Sequence, residues 1–178
     1  PMFLEALNCL KIAKELITDV ITCLGGAHAS TYFEKIMGSE EVDFIFRGEA
    51  ELSFPIFLKK LEESKPNFSE VKGLVYRDGI KFSKNELDRE ENLDLIKTPN
   101  YDAIRLDYYV NNGYRWNSPP KVNAPVWVTR GCPYRCQFCA APDLNGRPVR
   151  THSIEYMMNW IQELYHERGV RWINIIDD

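Results

Sequence analysis

The 178 residues carry 22 Lys and Arg against 26 Asp and Glu, a net charge of −4, with 44% hydrophobic and 27% charged residues. These values describe a globular chain able to bury a core, and the scattered basic residues offer no electrostatic footprint for nucleic acid. No apolar run nears the roughly 20 residues that a membrane-spanning helix requires. The Pro1-Met2-Phe3-Leu4-Glu5 start lacks the basic and apolar regions of a signal peptide. The expected location is the cytoplasm, with neither nucleic acid nor a membrane as partner.

Residues 3–17 place Phe3, Leu4, Leu7, Leu10, Ala13, Leu16 and Ile17 at helical spacing. Residues 20–24 form an apolar run ended by Gly25-Gly26, the pattern of a buried parallel strand. A short helix is expected over 31–37, a second strand over 43–47 closed by Gly48, and a second amphipathic helix over 50–63 with Leu52, Phe57, Leu58 and Leu61 near one face. This alternation is the rhythm of a doubly wound, Rossmann-like α/β sheet. Two strands are too few for one, so further strands are expected upstream, and both chain ends read as cut. Asp78-Gly79 then joins runs 73–77 and 80–83 as a hairpin. Residues 84–124, rich in Asn, Asp, Pro and Tyr, read as a surface linker with a turn of helix near 101–109. A strand over 126–129, a loop, a helix over 153–168 and a strand over 172–176 make one βαβ unit, the repeating piece of a (β/α) barrel. Ile154, Met157, Met158, Ile161 and Leu164 supply the apolar stripe of that helix. The expected division is 1–68, 69–124 and 125–178.

Five cysteines are present, three of them within eight residues. Such clustering points to a metal in a reducing compartment rather than to disulfides. Cys9 and Cys23 stand apart in apolar stretches and are expected to be buried structural thiols. The cluster lies in Thr129-Arg130-Gly131-Cys132-Pro133-Tyr134-Arg135-Cys136-Gln137-Phe138-Cys139, at the end of an expected strand. Three thiolates on one loop suit iron–sulfur chemistry, and a four-iron cluster held by three cysteines keeps one iron open to a ligand. A zinc site completed by His152 or His166, and a redox pair made by Cys136 and Cys139, are the alternatives.

The C-x3-C-x2-C spacing, the aromatic residue before the third cysteine and the preceding Thr-Arg-Gly-Cys-Pro resemble the radical S-adenosylmethionine superfamily. That resemblance implies that Cys132, Cys136 and Cys139 hold a 4Fe–4S cluster whose fourth iron binds S-adenosylmethionine. Reductive cleavage would give a 5′-deoxyadenosyl radical, fed by a reductant such as flavodoxin or ferredoxin and spent on a small-molecule substrate. It also implies that Phe138 lies near the adenine and Asp177, with its neighbour Asp178, near the methionine ammonium. The plainer alternatives are that Phe138 packs under the loop and that the aspartates are a polar strand end. No catalytic residue is named.

Gly25-Gly26-Ala27-His28-Ala29-Ser30 and Phe44-Ile45-Phe46-Arg47-Gly48-Glu49-Ala50-Glu51 are similar to paired stretches of the cobalamin-binding domain that precedes many such enzymes. A glycine pair after a strand lets backbone approach a ligand closely, and the resemblance implies that Gly25 and Gly26 line the channel for the cobalamin tail. The family's Asp-x-His-x-x-Gly motif has no match, and His28, which follows the glycines, is not its histidine. The resemblance therefore implies the C-terminal part of a doubly wound cobalamin-binding domain, a hairpin and linker, and the first βαβ unit of a partial (β/α) barrel. The expected activity is methyl transfer or ring formation at an unactivated carbon, with the 178-residue stretch inactive alone. A methylthiotransferase-like radical enzyme and a non-catalytic metal- or cobalamin-binding module are the rivals.

Overall fold

The computed structural model describes residues 2–79, 81–87, 89–105, 108 and 122–177, which fall into two units, Pro1–Arg89 with Tyr134–Asn145 and Glu90–Pro133 with Gly146–Asp178. In the first unit α1 spans Met2–Leu16, β1 Cys23–Leu24, α2 Gly26–Ile36, β2 Phe44–Phe46, α3 Ser53–Leu61, β3 Leu74–Asp78, β4 Lys81–Lys84 and α4 Ala141–Asn145. Helix α2 begins at Gly26, five residues before the expected helix over 31–37. Glycines break a helix interior, but the first turn has no intrahelical N–H bonds to lose. Extended Gly25 (φ −150°) followed by Gly26 (φ +87°) turns the chain from strand to helix at once.

The sheet runs β1-β2-β3-β4. β1 and β2 are parallel, with Cys23 opposite Phe44 and Leu24 opposite Ile45. β3 then joins β2 antiparallel, pairing Phe44, Ile45 and Phe46 with Tyr76, Val75 and Leu74. The hairpin therefore extends this sheet instead of standing apart, because β2 offers a second edge to it. Its turn is built on Gly79 at φ +63°; Ile80 lies outside the described residues. Alternation along β2 and β3 divides the core. Ile45 and Val75 face Ala29, Phe33, Ile36 and Met37 of the α2 region, with Phe3, Leu7 and Leu10 of α1 packed on them. Phe46 and Leu74 face Phe57 of α3 and Val71, with Phe44, Phe68 and Tyr76 alongside. Helices thus cover both faces of a mixed sheet.

Cys9 and Cys23 are both exposed, against the expectation of burial. Phe3, Leu7 and Leu10 face the core, and Cys9 lies on another side of the α1 cylinder. Just before β1, Thr22 is 3% exposed, and the alternation of extended backbone points its neighbour Cys23 the other way.

A polar knot fastens α1 to the sheet. Lys14 Nζ lies 2.9 Å from Asp43 Oδ2, which also accepts bonds from the Thr22 amide at 2.8 Å and the Thr22 hydroxyl at 2.9 Å. Burial opposes ionisation of Asp43, but the Lys14 and Thr22 bonds outweigh it and hold the carboxyl below its ordinary pKa. A depressed carboxylate contributes stability that is full above the unfolded-state value near 3.9 and is lost as pH falls through the lower folded value. Asp43→Asn is therefore expected to lower the melting temperature at neutral pH and to flatten its decline below about pH 4. Acid unfolding curves of the two proteins check this; parallel declines would exclude Asp43 as the group responsible.

In the second unit a 3-10 turn spans Leu93–Leu95, β5 Asn123–Val126, β6 Thr129–Arg130, β7 Arg150–Thr151, α5 Ile154–His166 and β8 Trp172–Ile175. β5 and β8 are parallel, with Asn123 opposite Trp172 and Val126 opposite Ile175, and α5 is the crossover between them. The strand begins three residues earlier than the expected 126–129, because β8 pairs with Asn123–Val126 and leaves Thr129–Arg130 to pair with β7. Ser153 caps α5, its hydroxyl accepting from the Tyr156 amide at 3.1 Å. Met157, Trp160 and Leu164 are the buried stripe of α5. Ile154 is 84% exposed and lines, with Met158, Ile161, Val126, Val128 and Ile175, an apolar groove beside the sheet.

The linker is part of this core as well. Leu93, Ile96 and Tyr101 are buried, and Tyr101 Oη accepts from Trp160 Nε1 at 2.8 Å. Arg168 pairs with Asp102. Residues 106–107 and 109–121 lie outside the described residues, as does Asp178. Among the described residues no helix is long and apolar enough to cross a membrane.

Candidate functional site

The cysteine loop leaves the second unit through a narrow neck. Thr129 and Arg130 pair antiparallel with Thr151 and Arg150, and the His152 amide donates to Val128 O at 2.9 Å. Beyond them the Cys132 amide donates to Gly146 O at 2.9 Å. Gly131 sits between, at φ +100°, where an added Cβ would lie 2.2 Å from Pro148 O and 3.2 Å from Gly146 O. Only glycine satisfies both the backbone angle and the space. The neck so fixes the direction in which Cys132 departs.

Asp177 closes the same neck from β8. Its Oδ1 accepts from the amides of Val128 at 2.7 Å and Thr129 at 3.0 Å. The carboxylate expected near an ammonium group thus already neutralises two backbone donors at the root of the loop, both through one oxygen.

Cys136 and Cys139 belong to the first unit. The Cys139 amide donates to Cys136 O at 3.2 Å, closing a turn with Gln137 and Phe138 at its corner. Phe138 is 93% exposed, so it does not pack under the loop. All three thiols of the motif are free, with Cys132 partly buried and Cys136 and Cys139 exposed. Among the described residues no three His, Cys, Asp or Glu side chains are assembled as a metal ion would need. The donor chemistry nevertheless fits an iron–sulfur cluster: three soft sulfur ligands, uncommitted to disulfides, on one short stretch of chain.

His152, one candidate fourth ligand for zinc, is committed elsewhere. Its side chain is 1% exposed, Nδ1 lies 3.1 Å from Asp94 Oδ1, and its ring stacks on Tyr156 at 4.4 Å and 9°. Asp94 also accepts from the Ser153 amide at 3.0 Å, and its bonds to Ser153 and then His152 hold its carboxyl below the ordinary value. Asp94 is spaced too far in sequence from the helix it caps for any local pattern to reveal it.

In the first unit the glycine pair and Arg47-Gly48 occupy neighbouring positions, as β1 and β2 run parallel and in register. A Cβ on Gly25 would be 3.7 Å from Phe46 O, an ordinary contact, and one on Gly26 would meet nothing within 4 Å. The backbone of the pair therefore borders open space, which suits the close approach of a bulky ligand. Gly48 is tied across to α2 through its amide, which donates to Ser30 Oγ at 3.0 Å.

No family model matches the chain. It is 30% identical over 98% of its length to an uncharacterized methyltransferase of Pyrococcus horikoshii, of which it covers 37%. It is 28% identical over its whole length to the anaerobic magnesium-protoporphyrin IX monomethyl ester cyclase of Cereibacter sphaeroides, of which it covers 29%. Among solved structures, 99% of the chain superposes on OxsB, a cobalamin-dependent S-adenosylmethionine radical enzyme solved with aqua-cobalamin and S-adenosylmethionine, with a TM-score of 0.79 and 20% identity. That likeness is one of fold, and it covers 24% of the larger chain. The chain spans about a third of the length of the curated relatives it matches.

Proposed function

We propose that the chain belongs to the radical S-adenosylmethionine enzymes that carry a cobalamin-binding domain, and that its two halves supply part of two cofactor sites. Residues 1–68 are read as the C-terminal part of a doubly wound cobalamin-binding domain, 69–124 as hairpin and linker, and 125–178 as the first βαβ unit of a partial (β/α) barrel. The observation that carries the reading is the cysteine motif on a loop rooted by β6, β7 and Gly131 at the end of a parallel strand, where α/β folds place their ligands.

Cys132, Cys136 and Cys139 are the proposed ligands of a 4Fe–4S cluster. Bound there, the cluster would pass one electron to the sulfonium of S-adenosylmethionine, giving methionine and a 5′-deoxyadenosyl radical. The chain's own contribution is placement. Gly131 and the β6–β7 pair aim Cys132, and the turn from Cys136 to Cys139 sets the spacing of two thiolates and presents Phe138 for an adenine. Asp177, held by two backbone amides, is the proposed partner of the methionine ammonium. The reaction class is methyl transfer or ring formation on a small molecule, with a flavodoxin- or ferredoxin-type reductant in the cytoplasm.

Gly25 and Gly26 are the proposed approach to the cobalamin tail. Gly26 makes a poor test position, because its φ of +87° strains any L side chain. Gly25, at φ −150°, accepts one without strain. Gly25→Val is expected to reduce cobalamin retention tenfold or more while the melting temperature and the iron content stay at the parent's values. Undiminished retention would remove the glycine pair from the site.

A further inference from the structure

The two strands that root the cysteine loop are each fastened by a carboxylate from a distant segment of the second unit. On the entering side, Asp177 takes the Val128 and Thr129 amides. On the leaving side the anchor is Asp94, carried by the 3-10 turn Leu93–Leu95. That turn is itself anchored. Leu93 is fully buried, the Asp94 amide donates to Asn92 Oδ1 at 3.2 Å, and Tyr156 Oη donates to Ile96 O at 2.5 Å. Asp94 Oδ1 meets both His152 Nδ1 at 3.1 Å and the Ser153 amide at 3.0 Å. An ionised carboxylate only accepts, so Nδ1 carries the proton and donates it. The place of Asp94 at the N-terminus of α5 also favours its negative charge. His152 is the joint of this arrangement. Its side chain is buried, its ring stacks on Tyr156, and its amide donates to Val128 O, of the residue whose own amide Asp177 holds. Nearer the loop, the Arg150 guanidinium donates to Glu90 O at 2.8 Å, in the same linker as Asp94. Pairing of Thr151 and Arg150 with Thr129 and Arg130 passes the constraint to Gly131 and Cys132.

We propose that Asp94 is a positioning residue for the cysteine loop, fixing through His152 the strand that leaves it as Asp177 fixes the strand that enters. Stacking on Tyr156 sets the plane of the imidazole, and the bond from Nδ1 sets its rotation. The His152 backbone therefore cannot shift along Val128 without breaking a charge-assisted bond in a buried place. The fastening stands on the geometry of this unit alone. Its consequence for turnover rests on the cluster reading above, because a displaced ligand moves the reacting iron out of line with its target.

The test uses the longer parent protein. Hydrogen exchange at the Cys132 and His152 amides is measured on metal-free protein, and 5′-deoxyadenosine turnover at varied S-adenosylmethionine after anaerobic reconstitution. His152→Phe keeps a ring to stack on Tyr156 and loses the donor. His152→Asn keeps a donor that reaches Asp94 as Nδ1 does and loses the ring. His152→Phe and Asp94→Ala are expected to speed exchange at both amides about tenfold or more. They should lower kcat by a similar factor, with KM and iron content at the parent's values. His152→Asn is expected to recover most of both losses. Asp94→Asn, which keeps the accepting oxygen without the charge, should fall between Asp94→Ala and the parent. A role in packing alone gives the opposite order, with His152→Phe nearer the parent than His152→Asn, and that order overturns the inference. Parent-like exchange in Asp94→Ala, or parent-like kcat in variants that exchange faster, overturns it as well. Should Asp94→Ala fail to fold, the two His152 variants carry the comparison. A parent that forms no cluster or no 5′-deoxyadenosine removes the radical reading, and the exchange rates of the metal-free proteins still decide whether Asp94 fixes the loop.

Discussion

Gly131→Ala is expected to cost about 3 kcal/mol or more and to abolish loading of the cysteine loop with iron. The added methyl would stand 2.2 Å from Pro148 O in a backbone conformation, φ +100°, that L residues rarely adopt. Neither neighbour can yield cheaply. Pro148 is two residues from Arg150, which is paired to Arg130, and Gly146 O already accepts from the Cys132 amide at 2.9 Å. Relief must therefore come from opening the β6–β7 pair, which is the neck itself. Gly79→Ala is the control: its φ is +63°, but nothing lies within 4 Å of the new methyl, so only the conformational cost of about 1–2 kcal/mol applies. Thermal melting and iron analysis of both variants check the contrast. Equal losses would mean that the contact with Pro148 carries no weight.

Phe57→Ala is expected to destabilise the first unit by about 3–5 kcal/mol. Phe57 is 2% exposed at the centre of an aromatic group, with ring centroids of Phe44 at 4.7 Å, Phe46 at 5.3 Å and Phe68 at 5.6 Å. It is the side chain that fastens α3 to its face of the sheet. Its removal forfeits transfer energy, several edge-on ring contacts and the packing of a cavity that rigid strands cannot fill. Phe54, 37% exposed on the same helix, is expected to cost less than half as much when changed to alanine. Denaturant titrations of the two variants measure this directly, and similar midpoints would show that the cluster is not organised around Phe57.

Much of this fold was legible because its elements carry short-range signals. The helical spacing of Phe3, Leu7 and Leu10, the Asp78-Gly79 turn and the Ser153 cap each act over a few residues. What escaped was long-range. Nothing local tells that β3 pairs with β2, since Leu74, Val75 and Tyr76 would suit any sheet with an open edge. The apolar stripe of α5 was read too broadly for the same reason: Ile154, Met157, Met158 and Ile161 share one character, and only the position of β5 selects Met157 and Trp160 for burial. At the site, the cysteines announced themselves by spacing and Gly131 by its place among them. Asp94 acquires meaning only when distant segments meet. Cys9 and Cys23 were misjudged because apolar neighbours in sequence need not share a face.

The central claim is that Cys132, Cys136 and Cys139 together hold a cluster that cleaves S-adenosylmethionine. Its most direct test is anaerobic reconstitution of the chain within its longer parent protein, followed by iron and sulfide analysis and by measurement of 5′-deoxyadenosine formed with a strong reductant. The account predicts about four irons per chain in the parent and in the Cys9→Ala and Cys23→Ala variants, with 5′-deoxyadenosine produced by all three. Cys132→Ala, Cys136→Ala and Cys139→Ala should each lose most of the iron and all of the product while keeping the parent's circular dichroism. Full iron content or undiminished 5′-deoxyadenosine in any of those last three variants would contradict it.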